Sequence, residues 1–276
     1  MTRAALIQLS SSDDPAANLV KTREYVSNAA QIADLIVTPE VTNCVSTSRT
    51  RQIEVLRPEA EDPTLAALRD DAARLGKWVL IGSLALKTDD PQGRFANRSF
   101  LINPAGDIAA RYDKIHMFDV TISDTEQYHE SKGYRPGDQI TVVDTPLGKI
   151  GLTICYDMRF PALYRALGQA GAQIITVPSA FSPVTGAAHW EVLLRSRAIE
   201  TGAYILAPAQ TGQHALTRGR PRATFGHSVA IDPWGGIEAK AGAAPGVTLV
   251  ALDLAQVTLA RTRIPALSHD RPFSGP

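Results

Sequence analysis

Short apolar runs of strand character recur from Arg3 to Leu252, some separated by helices and others joined by tight turns. This alternation constrains the fold more than any other feature of the chain. Arg3–Gln8 reads as a buried strand and Pro15–Ile32 as a helix with Leu19, Val26 and Ala30 on one face. Leu35-Ile36-Val37 has the unbroken apolar character of a central strand covered on both sides. Asp62-Pro63 opens a second helix, with Leu65, Leu68, Ala72 and Leu75 at helical spacing and Gly76 to end it. Trp78–Leu86 is the next strand.

Beyond it the pattern turns to hairpins. Arg98–Ile102 and Asp107–Tyr112 flank Asn103-Pro104-Ala105-Gly106, and Gln139–Val143 and Lys149–Ile154 flank Asp144–Gly148. Helix and strand then alternate again: Phe160–Ala170 stopped by Gly171, Ile174–Val177, Trp190–Glu200 and Tyr204–Ala207. A third hairpin turns at Asp232-Pro233-Trp234-Gly235, and Val247–Leu252 closes the set. About ten strands crowd a single open sheet, so two packed sheets with outer helices are expected. The predicted class is therefore α/β, a four-layer α-β-β-α sandwich. No linker, repeat or low-complexity tract divides residues 1–276, which read as one domain.

Composition removes several functions. Lys plus Arg and Asp plus Glu both number 28, without the basic excess of a protein that lives on phosphate contacts. Aromatic residues at 6% offer little for stacking bases. The chain starts directly in a strand with no secretory h-region, and the uncharged stretch from Ala166 to Trp190 is broken by Pro178 and Pro183. Two cysteines, Cys44 and Cys155, make no disulfide framework. A cytoplasmic protein with no nucleic-acid or membrane partner is expected.

Three residues at strand ends could do chemistry. Cys155 ends the apolar run of IGLTIC just before a helix, where backbone N–H groups favour a thiolate, although a free cysteine is more often a small buried hydrophobe. Glu40 follows the central strand in LIVTPE. It is either a solvated loop residue or a base whose pKa burial has raised. Lys114, flanked by Ile115, Met117 and Phe118, can stabilise an oxyanion or simply snorkel from a strand end.

Taken together, LIVTPE, YDKIHMFD and GLTICYD, in that order, resemble the nitrilase superfamily of carbon–nitrogen hydrolases. PSAFSPVTGAAHWEVLLRSRAIE, AQTGQH and GHSVAIDPWG extend the resemblance to its Nit branch over nearly the whole chain. The tail SHDRPFSGP departs from the HRRxDLY-like ending common there. The resemblance implies a Glu-Lys-Cys triad of Glu40, Lys114 and Cys155 on a sandwich fold, with Glu130 of HESKGYRPGD orienting Lys114 or the substrate amide. It also implies an amidase that works through a thioester. Glu40 takes the thiol proton, Lys114 and the Tyr156 N–H meet the oxyanion, and Glu40 returns the proton to departing ammonia. AQTGQH is closer to deaminated-glutathione amidases than to omega-amidases acting on keto-acid amides. A homodimer or larger assembly is implied, through Phe160–Ala170 and Trp190–Glu200 with Leu163, Leu167, Val192 and Leu193.

The other polar residues point less sharply. Arg159, four residues past Cys155, either meets a substrate carboxylate or braces its loop, and Phe181 and His116 are further candidates for the substrate pocket. His189, read as opening a helix, and His227, beside a strand, look structural. The scattered histidines form no metal-ligand spacing, and no phosphate-cradling glycine motif occurs, so neither metal nor organic cofactor is expected. A Cys-His acyltransferase, or a binding protein of this fold without activity, are the competing classes.

Overall fold

The computed structural model describes residues 1–124 and 126–275. Two six-stranded mixed sheets face each other. Sheet I runs, edge to edge, Gly246–Leu252, Thr2–Gln8, Leu35–Val37, Trp78–Leu86, Ala96–Ile102 and Ile108–Asp113. Sheet II runs Ile237–Lys240, Val229–Ile231, Tyr204–Ala207, Ile174–Thr176, Gly148–Leu152 and Thr141–Thr145. In each sheet the central pairs are parallel and the outer ones antiparallel, as the mixture of helix crossovers and hairpins requires.

The two-residue period of a strand divides the core. Ala4, Leu6, Leu35, Val37, Leu80 and Leu101 point between the sheets and join the cluster that contains Ile150, Ile174 and Ile205 of sheet II. Their neighbours Ala5, Ile7, Ile36, Val79, Ile81 and Phe100 point the other way. There they meet helices α1 (Pro15–Ala30) and α3 (Pro63–Leu75) through Val26, Ala29, Leu65 and Leu68. Between these two helices, α2 spans Arg49–Val55. On the far side of sheet II lie α4 (Pro161–Gln169) and α5 (Pro183–Thr201), which supply Leu163, Leu167, Trp190 and Leu194. The layers are therefore α-β-β-α, and the expected sandwich holds.

The helix starts follow local chemistry. Asp14 accepts from the N–H groups of Ala16 and Ala17 to open α1, and Asp62 accepts from Leu65 N–H to open α3. Gly76 closes α3 in the left-handed conformation, φ 64°.

Several boundaries differ from the sequence reading. α5 starts at Pro183 rather than Trp190, because Pro183 at its first position sets the helix and the small residues after it carry no apolar period. His189 therefore lies within α5. α2, α6 (Ala255–Arg263) and two ribbons, Asp119–Thr121 with Gln127–His129 and Thr211–Gln213 with Ala223–Phe225, escape detection because they are short and mostly polar. Among the described residues no helix is long and apolar enough to cross a membrane.

Candidate active site

Sheet I and sheet II bring Glu40, Lys114 and Cys155 to one end of the sandwich, where all three line a cavity of about 250 Å³. Glu40 is placed by a close approach between strands. At the bulge between Ile81 and Leu84, Gly82 gives its N–H to Thr38 Oγ1 at 3.0 Å, and Ser83 Oγ accepts the Val41 N–H at 2.8 Å. A Cβ on Gly82 would lie 2.0 Å from Thr38 O, so only glycine lets the Thr38–Val41 segment pass. Val41 then adopts φ 46°, a left-handed conformation rare for a β-branched residue.

Cys155 begins the 3-10 turn Cys155–Arg159 with φ 49°. Left-handed non-glycine residues each cost about 1–3 kcal/mol, and here they sit at Cys155 and directly after Glu40. Asp157, fully buried, holds the turn in place. Its Oδ2 accepts from Ile154 N–H at 2.9 Å and Tyr112 OH at 2.7 Å. Its Oδ1 accepts from His116 N–H at 3.0 Å and lies 2.7 Å from His116 Nδ1.

Lys114 is 2% exposed, and its Nζ bonds Glu40 Oε1 and both Glu130 oxygens at 2.9 Å. Asn97 Nδ2 also donates to Glu40 Oε1 at 2.9 Å, and Ala180 N–H donates to Glu40 Oε2 at 2.8 Å. Phe118 N–H donates to Glu130 Oε2 at 2.6 Å. Burial drives the Glu40 carboxyl up, but the Lys114 charge, its hydrogen bond and the neighbouring donors reverse this and hold it below the ordinary value. Burial likewise works against the Lys114 ammonium, and the charges of Glu130 and Glu40 hold its pKa well above the usual range. The Cys155 thiol is pushed far up by burial and then by the Glu40 charge, with Lys114 opposing.

At the Cys155 thiol, burial and the adjacent carboxylate outweigh Lys114, in keeping with a thiol that gives up its proton only as it attacks. One expectation is corrected: Glu40 is desolvated rather than solvated, yet its partners lower its pKa where burial alone would raise it. A carboxylate base, a neutral thiol and a fixed ammonium in one shielded cavity can deprotonate a nucleophile as it attacks and stabilise the resulting oxyanion.

The family model for carbon-nitrogen hydrolases matches residues 3–262. The chain belongs to that family. This carbon-nitrogen hydrolase is 39% identical over 269 residues to a protein of Yersinia enterocolitica named deaminated glutathione amidase, covering 97% of this chain and 92% of the relative. Its fold is similar to that of the C. elegans NitFhit protein, with TM-score 0.90, 33% identity and 98% of this chain covered. The chain spans only 65% of that longer protein. Saccharomyces cerevisiae Nit3, a member of branch 10 of the nitrilase superfamily, matches over 99% of this chain and 97% of its own length, with TM-score 0.82 and 30% identity.

In this carbon-nitrogen hydrolase Glu130, Tyr156 and Phe181 line the same cavity as Glu40, Lys114 and Cys155. Arg159 and His116 do not. The Arg159 guanidinium lies 3.2 Å from His189 Nδ1 and faces the rings of Phe181 and Tyr156, because the short turn after Cys155 carries it to the α5 side. His116 stacks on Phe160 with ring centres 3.5 Å apart and is spent on Asp157. Sequence reasoning missed Asp157, although it stands in the quoted GLTICYD segment, and Asn97. It also missed Arg222, which reaches the cavity from the second ribbon. Cys44 lines the cavity too, but burial pushes its thiol up to about 12, and among the described residues no cationic side chain bonds it.

Proposed function

We propose that this protein is a cysteine-dependent amidase of the deaminated-glutathione amidase type. The observation that carries the reading is the buried Glu40 carboxylate bonded to Lys114 Nζ at 2.9 Å in the same cavity that Cys155 lines. Glu40 accepts the thiol proton as Sγ attacks the amide carbonyl, so no free thiolate has to accumulate. The oxyanion forms against Lys114 Nζ and the N–H of Tyr156. The Cys155 N–H is already committed to Pro178 O at 3.0 Å. Collapse breaks the C–N bond, and Glu40 returns the proton to the leaving nitrogen. A water deprotonated by Glu40 then attacks the thioester carbonyl, giving the carboxylic acid and restoring the thiol. Glu130 and Asn97 keep Lys114 and Glu40 in register. With a deaminated-glutathione substrate the leaving group is a peptide amine rather than the ammonia expected for a simple amide.

The substrate assignment is supported by the 39% identity to the Yersinia relative and by a cavity lined by three basic side chains, Lys114, Arg220 and Arg222, against the two carboxylates Glu40 and Glu130. Turnover of deaminated glutathione is expected to exceed that of alpha-ketoglutaramate, with neutral amides and nitriles slower still. Brief iodoacetamide treatment at neutral pH is expected to alkylate Cys155, with Glu40 as its base, before Cys44, and activity should fall in step. Loss of activity that tracks Cys44 would overturn the assignment. Preference for alpha-ketoglutaramate would keep the reaction class and move the substrate.

We further infer a cytoplasmic homodimer or larger assembly with one catalytic unit per chain. The apolar face differs from the one expected, since Leu163 and Leu167 point into the core. What α5 exposes is Val184, Val192 and Ile199, and Ile199 shares a groove with Trp234 and Ile264. A dimer in sedimentation at micromolar protein is expected, dissociated by Val192→Asp with Ile199→Asp. A wild-type monomer would refute it.

A further inference from the structure

The AQTGQH segment contains a fully buried polar residue, Gln210, that the chemistry above leaves unused. Residues 208–211 run where the two sheets close on each other. Toward sheet I, Leu9 N–H donates to Ala209 O at 3.3 Å and Thr211 N–H to Leu9 O at 2.7 Å. Toward sheet II, Ser179 N–H donates to Pro208 O at 2.9 Å and Gln210 N–H to Ser179 O at 2.8 Å. The Gln210 carboxamide reaches back across the gap. Its Nε2 donates to Glu40 O and to Ser11 Oγ, both at 3.0 Å, and its Oε1 accepts from Ser11 N–H at 3.0 Å. That orientation is forced, since Ser11 N–H can only donate and Glu40 O can only accept.

The carbonyl it reaches belongs to the peptide between Glu40 and Val41, and the other end of that peptide is held as well. Val41 N–H donates to Ser83 Oγ at 2.8 Å. A peptide unit is a rigid plane, so holding its C=O from sheet II and its N–H from sheet I fixes two torsions together, ψ of Glu40 and φ of Val41. The second is the strained one, at 46°. A β-branched residue keeps such a conformation only where its surroundings over-determine it. Gln210 and Ser83 supply that determination. The same stretch of chain also spans the distance to the nucleophile. Cys155 N–H donates to Pro178 O at 3.0 Å, Gln210 N–H to Ser179 O at 2.8 Å, and Ala180 N–H to Glu40 Oε2 at 2.8 Å. Three consecutive residues thus hold the nucleophile, Gln210 and the carboxylate of the base.

We propose that Gln210 is a positioning residue for proton transfer from Cys155 to Glu40, acting with Ser83 as a clamp on the Glu40–Val41 peptide. The proposal rests on the amidase reading for its effect on turnover, but not for its effect on the thiol. The cavity lining, among the described residues, does not include Gln210, so it acts through Glu40 rather than on substrate. Loss of its Nε2 takes the donor from the Glu40 carbonyl. The peptide can then swing to relieve Val41, and the Cα that carries the base moves with it. A base displaced by about an ångström accepts the proton far less often, while the substrate pocket itself is unchanged.

The test uses Gln210→Met, which keeps the length of the side chain and removes its polar atoms. It measures kcat and KM with deaminated glutathione, and the rate at which iodoacetamide alkylates Cys155 at neutral pH, both well below the variant's Tm. Gln210→Met should lower kcat by about tenfold or more with KM within about twofold of wild type, and should slow alkylation by a similar factor. Val41→Gly supplies the discriminating background, because glycine holds a positive φ without strain. There the same Gln210→Met change should cost at least about threefold less in both measurements. Losses equal in the two backgrounds, or a loss that falls on KM, would make Gln210 a packing residue and overturn the clamp. If Gln210→Met does not fold, Ser83→Ala releases the other end of the same peptide and should slow kcat and alkylation likewise; unchanged rates there overturn the clamp. If wild type does not cleave deaminated glutathione, the proposed function fails by itself, and the alkylation rates with and without Val41→Gly still decide the clamp.

Discussion

Replacing Glu40 by glutamine is expected to lower turnover at neutral pH by about a thousandfold or more and to leave a residual rate that climbs with pH. The size follows from the state of the nucleophile. Burial and the Glu40 charge hold the Cys155 thiol far above neutrality, so its thiolate is scarce unless a base takes the proton during attack. Glutamine removes that base, and it also fits the pocket badly. One Glu40 oxygen accepts from Lys114 and Asn97 and the other from Ala180 N–H, so the new amide N–H₂ must face a donor in either orientation. In wild type, a Glu40 pKa below the ordinary value keeps the base ionised on the acidic side, and kcat/KM should stay level until pH falls through it. In the variant only thiolate formed by hydroxide reacts, so the logarithm of the rate should rise by about one per pH unit through the alkaline range. A variant within about tenfold of wild type, or one keeping the wild-type profile, would remove Glu40 from the base role.

The contrast between what could and could not be read from the chain has a physical origin. Apolar runs that end in Glu40, Lys114 and Cys155 are visible one segment at a time, because a strand's burial is written in consecutive residues. The count of such runs is enough to require two sheets, and the sandwich follows. The ionisation of Glu40 is not written locally: the lysine that sets it lies 74 residues away. Asp157 looks like an ordinary loop acid until Tyr112, Ile154 and His116 converge on it. Arg159 is close to Cys155 in sequence, yet the tight turn points it at His189. Arg222 sits in a loop of glycine, proline and arginine with no period, and only the three-residue strands beside it carry it to the cavity. Leu163 and Leu167 share a helix face that an apolar pattern shows clearly, but the pattern does not say whether core or partner covers it.

Removing the lysine itself is expected to have the largest combined effect. Lys114→Ala should abolish measurable turnover and also destabilise the protein by about 3–5 kcal/mol at neutral pH, the usual cost of leaving buried charge without its partner. Glu40 is 4% exposed, and Glu130 shares the same ammonium, so both carboxylates would face each other in a shielded site. The pH dependence gives this prediction its sign. In wild type the folded-state pKa of Glu40 is depressed, so its contribution to stability is present above the unfolded-state pKa and fades as pH falls through the folded value. Without Lys114 the burial that opposes ionisation wins, the folded-state pKa rises above the unfolded one, and Glu40 becomes destabilising wherever it must ionise. The gap in Tm between wild type and variant should therefore be widest near neutrality and should narrow as pH falls toward about 4, where the Glu40 carboxyl can take a proton. Lys114→Arg should not restore turnover, since a planar guanidinium cannot occupy the place where one compact ammonium meets both carboxylates and the oxyanion. A Tm gap independent of pH, or an arginine variant that turns over normally, would mean that the ammonium is not the charge on which this site is built.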